Sequence, residues 1–205
     1  MANVKITDLT AAATPLAGTE LFETVQGGSS KKVAAADIGN SATAVPYNSL
    51  AGRAYISAYS VTDQSGSISS ATAVRMANTA FSSGISITND GSGQPTRITF
   101  AAAGTYMIAP SLQFANSDST NHDATVWFRK NGTDIANSAT VLNVPKLADG
   151  GAAYFQIVVY EQVTAGQYVE IMWLPENAAV TLDFIAAGAI APAIPSAIVV
   201  SERIA

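Results

Sequence analysis

The stretch from Gly104 to Phe114 constrains the fold most, because Tyr106, Ile108, Leu112 and Phe114 alternate with Thr105, Met107, Ser111 and Gln113. Successive side chains of an extended chain point to opposite faces, so this period of two predicts a half-buried strand. Ile98 and Phe100 share a face in TRITF, and Tyr55, Ser57, Tyr59 and Val61 share one in an earlier segment. Ala124 to Arg129 runs into Asn131-Gly132, residues that accept positive φ at little cost, which predicts a type I′ hairpin returning over Asp134 to Ala139. A second hairpin is expected from Tyr154–Val163 to Gln167–Leu174 across Thr164-Ala165-Gly166. Val180–Ile185 and Ala197–Ile204 bring the set to about ten strands. Only Ser70–Ala80 offers a short helix, and it reads equally as strand and loop. Short strands punctuated by Gly and Pro turns point to an all-β chain, a β-sandwich or jelly roll.

Charge narrows the partners. The 205 residues are enough for one substantial domain with an appendage. Only 12% are charged and 48% are hydrophobic, against about 25% charged in ordinary soluble domains. A surface so poor in charge favours association over a dispersed monomer. Net charge is −5 and the ten basic residues are scattered, so no stripe exists to hold a phosphate backbone and nucleic acid is not expected as a partner. Cysteine is absent, which removes disulfides, thiolate nucleophiles and cysteine-ligated metals. The opening MANVKITDLT has no apolar signal core, so secretion by the usual route is not expected. The Asn131-Gly132-Thr133 sequon is then explained by its turn.

The charge-free run Phe184–Ser201 approaches the length of a membrane span, yet Gly188, Pro192 and Pro195 would break the hydrogen-bond ladder that lipid demands. Two strands joined by a Pro-rich apolar connection, buried in a core or at a subunit contact, are expected instead, with no membrane insertion.

Chemistry finds little support. The single histidine, His122, has Asp118 and Asp123 as sequence neighbours, but a triad is a spatial arrangement and neighbours in sequence do not make one. That loop lacks the spaced ligands and glycine of a dedicated calcium site, and Asn89-Asp90-Gly91-Ser92-Gly93 is explained by turn chemistry. No phosphate-binding loop, dinucleotide fingerprint or zinc cluster is present. Glu161, Glu170, Glu176 and Asp183 could serve an enzyme only by meeting across strands. The expectation is no catalysis, no cofactor and no metal. Trp127 and Trp173 are candidate stacking platforms for a carbohydrate-binding sandwich, although burial is the commoner fate of a strand tryptophan.

Residues Leu16–Ile38, LAGTELFETVQGGSSKKVAAADI, form a separate pattern. Leu21, Glu23 and Val25 alternate with Phe22 and Thr24, Gly27-Gly28-Ser29-Ser30 supplies turn residues, and Lys31 to Ala35 can return as a second strand. An isolated hairpin is marginal in water, so something else must cover it. From Lys5-Ile6-Thr7-Asp8-Leu9 to Lys31-Lys32-Val33 the segment resembles the N-terminal motif of tailed-bacteriophage structural proteins, including head fibres, decoration proteins and tail fibres. The resemblance implies a virion component, assembled in the bacterial host cytoplasm, with Leu16, Leu21, Phe22, Val25, Val33 and Ile38 as anchoring residues against the major capsid protein or another virion protein. The rest is similar to the tumour-necrosis-factor and complement-type jelly roll, through Gly104 to Tyr106, Lys130-Asn131-Gly132 and Val163 to Ile171. That resemblance implies a trimer, with Tyr106, Phe155, Tyr168 and Ile171 as candidate axis residues that could equally belong to the core.

The expected organisation is an anchor and linker over residues 1–46 and a jelly roll over 47–205. The expected function is a capsid decoration protein or head fibre that projects a trimeric β knob. A short tail fibre that binds a receptor or host-surface glycan, and a carbohydrate-binding β-sandwich, are the alternatives.

Overall fold

A computed structural model describes the backbone of Leu21–Gln26 and Ser29–Ala34 and all residues of Arg53–Ala205. The chain divides into two compact units, Met1–Gly52 and Arg53–Ala205. In the first, strands β1 (Leu21–Gln26) and β2 (Ser29–Ala34) pair antiparallel, with Leu21 opposite Ala34, Phe22 opposite Val33 and Val25 opposite Ser30. Four of the six anchoring candidates lie on these strands; Leu16 and Ile38, with the expected linker, lie outside the described residues.

The second unit is built from strands. In chain order they are β3 (Tyr55–Ser60), β4 (Gln64–Ser65), β5 (Thr72–Ala73), β6 (Asn78–Ser83), β7 (Ile85–Asn89) and β8 (Pro95–Phe100). There follow β9 (Gly104–Asn116), β10 (His122–Lys130), β11 (Thr133–Asp134), β12 (Thr140–Val144), β13 (Ala152–Gln156) and β14 (Val159–Val163). The last are β15 (Tyr168–Pro175), β16 (Val180–Leu182) and β17 (Ala197–Arg203). All pairings are antiparallel. An eight-stranded sheet runs β4-β16-β9-β17-β3-β6, with β13 and β14 also paired to β9. A seven-stranded sheet runs β11-β10-β15-β8-β7, with β12 on β10 and β5 on β15. The chain passes repeatedly from one sheet to the other, and the main strands β3-β17-β9-β13/β14 facing β8-β15-β10-β12 have jelly-roll order.

Alternation places the core between the sheets. Ile56, Ile108, Leu112 and Phe114 meet Ile98, Phe100, Val126, Phe128, Ile171 and Trp173, all buried. Phe100 packs on Tyr106 with ring centroids 4.4 Å apart, and Phe114 meets Trp173 edge-on at 5.7 Å. Each such side chain contributes about 1.5–3 kcal/mol on leaving water. Pro110 explains one irregularity. Gln156 pairs with Ser111 and Val159 with Ile108, so β13 and β14 are one strand in continuous register, interrupted where Pro110 has no N–H to offer.

Three expectations change. The Asn131-Gly132 turn has the positive φ values it needs, 48° and 83°, but β11 lasts two residues before Ser138 intervenes, its hydroxyl accepting from Phe128 N–H and donating to Ile135 C=O. The turn Thr164-Ala165-Gly166 joins no hairpin: β14 pairs with β9 in one sheet and β15 with β10 and β8 in the other, so the turn crosses the sandwich. Ser70–Ala80 takes its strand-and-loop alternative, with β5, the start of β6 and loop between. Within Phe184–Ser201, β17 enters the core, but the preceding connection is open to solvent. It is closed by the Ile185–Ile194 bridge and a Gly188 N–H to Ala191 C=O hydrogen bond of 3.0 Å, and leaves Ile190 fully exposed. Among the described residues no helix is long and apolar enough to cross a membrane.

Candidate interaction surface

The pleat that turns Ile56, Ala58, Ile108, Leu112 and Val199 inward turns their neighbours onto the outer face of the eight-stranded sheet. Register aligns these outward residues in rows. Ser83, Tyr55, Glu202, Met107 and Tyr160 form one, and Phe81, Ser57, Val200 and Ala109 the next. Asn78, Tyr59, Ile198, Ser111 and Gln156 form a third. Tyr55 and Phe81 meet edge-on at 6.0 Å, and Tyr154 shares a 2.8 Å hydrogen bond with Ser111. Phe81 is 60% and Tyr160 61% exposed. Among these positions only Glu202 carries a full charge. Five strands at about 4.8 Å spacing and about six residues at ~3.4 Å rise span roughly 24 by 20 Å. That footprint is of the same order as the ~800 Å² per partner of a standard interface.

The outer face of the seven-stranded sheet has the opposite character. Arg97 stacks over the Tyr168 ring at 4.2 Å and lies 3.7 Å from Glu170, whose carboxylate accepts from the Thr96 hydroxyl at 2.8 Å. Asp134 accepts from Arg129 Nε at 2.8 Å and from Trp127 Nε1 at 2.9 Å. The Arg129 contact first, and the indole second, hold the Asp134 carboxyl below its ordinary range. Asn143 donates to Asp123 at 2.8 Å. Arg97 with Glu170 and Arg129 with Asp134 close as pairs, Glu170 buried and Asp134 more than half exposed.

The four axis candidates do not share a surface. Tyr106, Phe155 and Ile171 are buried in their own subunit's core, because their strand faces point into the sandwich, and have no area to offer a second copy. Burial raises the Tyr106 phenol above its ordinary range, and its hydroxyl donates to Ala102 C=O at 2.9 Å. Tyr168 faces outward, but from the charged sheet. Trp173 is fully buried and offers no stacking platform, whereas Trp127 is half-buried on the charged face. The residues that make the uncharged surface are Tyr55, Tyr59, Phe81, Tyr154, Tyr160 and Val200; of these only Tyr55 and Tyr59 were placed on a common face by the sequence pattern.

The titratable residues gather in small separate groups. His122 Nε2 lies 2.8 Å from Asp118 and Nδ1 3.9 Å from Glu176, at the end of β10. Glu161 pairs with Lys130, Glu176 accepts from the Asp123 N–H, and Asp183 lies near Asp63. Among the described residues no three His, Asp or Glu converge as a metal site would require.

No protein-family model matches this chain, and no curated protein does. Among solved structures it is similar to crystal structures of murine APRIL at pH 8.5, pH 5.0 and pH 8.0, with TM-scores of 0.46, 0.46 and 0.47. Identities are 10%, 9% and 10%, and each alignment covers 74% of this chain and 99% of the other. The jelly-roll assignment rests on strand order, not on this likeness.

Proposed function

We propose that this protein is a structural component of a tailed-phage particle, a capsid decoration protein or head fibre. Its jelly roll assembles as a homotrimer and its leading unit attaches to the major capsid protein or another virion protein. The observation that carries the assembly is the difference between the two outer faces. Charges line one and pair among themselves, while the other displays tyrosines, Phe81, Val200 and Met107 with a single carboxylate. An exposed uncharged sheet face of this extent, rich in aromatic side chains, suits an interaction site, and neighbouring copies arranged about a threefold axis can cover it without bringing opposed charges together. Attachment is supported by the resemblance of residues 5–33 to phage N-terminal motifs and by the pairing of β1 with β2, a two-stranded unit that gains stability from further strands or a packing surface.

The test removes residues 2–38. The remaining jelly roll should melt cooperatively, stay trimeric by light scattering and fail to decorate particles in reconstitution. Decoration by the truncated chain would overturn the attachment role, and a monomer mass at micromolar concentration would overturn the trimer.

A further inference from the structure

We propose that a polar cleft beside β5 binds a neutral saccharide, an inference that stands apart from the assembly above because every group in the cleft belongs to one subunit. β15 and β8 pair only at Tyr168–Thr99 and Val169–Ile98 and then diverge. The chain after β5 enters the gap, with Val74 N–H donating to Ile171 C=O and Met76 N–H to Pro95 C=O, both at 2.8 Å. Val74 and Met76 are buried, so alternation turns Arg75 outward, into a cleft of about 500 Å³ lined also by Asp63, Gln64 and the Asp90–Gln94 turn.

The lining is fixed in place. The buried Gln64 accepts from Arg75 N–H through Oε1 at 2.8 Å and donates from Nε2 to Arg75 C=O at 3.1 Å, so an amide side chain grips the backbone that carries the guanidinium. Arg75 Nη2 donates to Asp63 C=O at 3.3 Å, and no carboxylate lies within 4 Å of the guanidinium among the described residues. Asp90 Oδ1 accepts from Ser92 N–H, the Ser92 hydroxyl and Gln94 N–H at 2.8, 2.7 and 2.9 Å, while Oδ2 has no such partner among the described residues. The Ser92 hydroxyl first, and Gln94 N–H next, hold the Asp90 carboxyl below its ordinary range and keep it an acceptor.

This chemistry selects the ligand. A guanidinium only donates and a carboxylate only accepts, so one molecule that satisfies both must offer acceptors and donors together. Two carboxylates beside one guanidinium disfavour a phosphate or an acid, and the guanidinium disfavours a bare cation. Adjacent sugar hydroxyls serve both groups without bringing a charge. Among the described residues the lining contains no aromatic ring, so recognition runs through hydroxyls rather than stacking.

The experiment is saturation-transfer NMR on the full chain with the methyl glycosides of glucose, galactose, mannose and N-acetylglucosamine, with sodium sulfate and calcium chloride as competitors and thermal melts confirming the fold of each variant. At least one glycoside should bind, and Arg75→Ala should weaken it at least tenfold, as the loss of one charge-assisted hydrogen bond requires. Arg53→Ala, outside the cleft, should leave binding unchanged. Ala71→Leu, which adds bulk at an exposed position of the lining without altering a charge, should weaken binding as well. No binding of any of the four glycosides, binding unchanged in either Arg75→Ala or Ala71→Leu, or displacement of the sugar by equimolar sulfate or calcium overturns the inference and leaves the trimer and the attachment standing.

Discussion

Val200 sits at the centre of the proposed contact, between Ser57 of β3 and Ala109 of β9, with 41% of its surface open. Replacing it with aspartate separates fold from assembly. In the subunit the side chain points away from the core, so the change reduces strand preference at one outward position and costs up to about 1 kcal/mol. In the trimer it forfeits the remaining burial of the valine, about 0.6–1.2 kcal/mol from the ~1.5–3 kcal/mol of a whole side chain. It also desolvates a short carboxylate too stubby to reach water, at a further several kcal/mol per copy. At about 3 kcal/mol per copy, three copies lose about 9 kcal/mol, more than a millionfold in the assembly constant at ~1.4 kcal/mol per tenfold. Light scattering should read 21.0 kDa for Val200→Asp where the parent reads three times 21.0 kDa, and the thermal midpoint of the isolated subunit should barely move. A Val200→Asp chain that keeps the parent's assembled mass would refute the assignment of this face.

The core and a loop carry two further tests. A Cβ at Gly66 would lie 2.8 Å from Pro175 Cδ and 2.9 Å from two ring carbons of the buried Trp173; Gly66→Ala should cost about 1–3 kcal/mol by urea unfolding, and an unchanged midpoint would mean that the loop yields freely. Burial first, and the neighbouring Asp63 charge second, hold the Asp183 carboxyl above its ordinary range. A raised folded value means that its contribution is fully present below the unfolded value and is lost as pH rises through the folded one. Asp183→Asn should therefore raise the melting temperature near pH 7 and leave it unchanged near pH 3. A lower melting temperature at neutral pH would contradict the cause assigned.

Much of the fold was legible because local physics decided it. The alternation in Gly104–Phe114 became β9, and Asn131-Gly132 made the turn its φ values demand. The errors came where two arrangements share one local pattern. Thr164-Ala165-Gly166 turns the chain equally well within a sheet or across a sandwich, and loop closure of three residues does not choose between them. Trp127 and Trp173 both occupy strand positions; only the pairing of β10 with β15, and the sheet packed against them, left one half-open and sealed the other. Of the anchoring candidates, Leu21, Phe22, Val25 and Val33 received a strand register in β1 and β2, and nothing local to a two-stranded unit says what packs on it.

The sequence by itself determined a strand-rich chain with little charge, a definite hairpin and two kinds of side chain alternating along each strand. Which kind faces inward was decided only when two sheets closed over a shared core, because period two names two faces without saying which one loses its water. Tyr106 and Ile171 went inside on that account, and Tyr55, Phe81 and Val200 were left on an uncharged exterior.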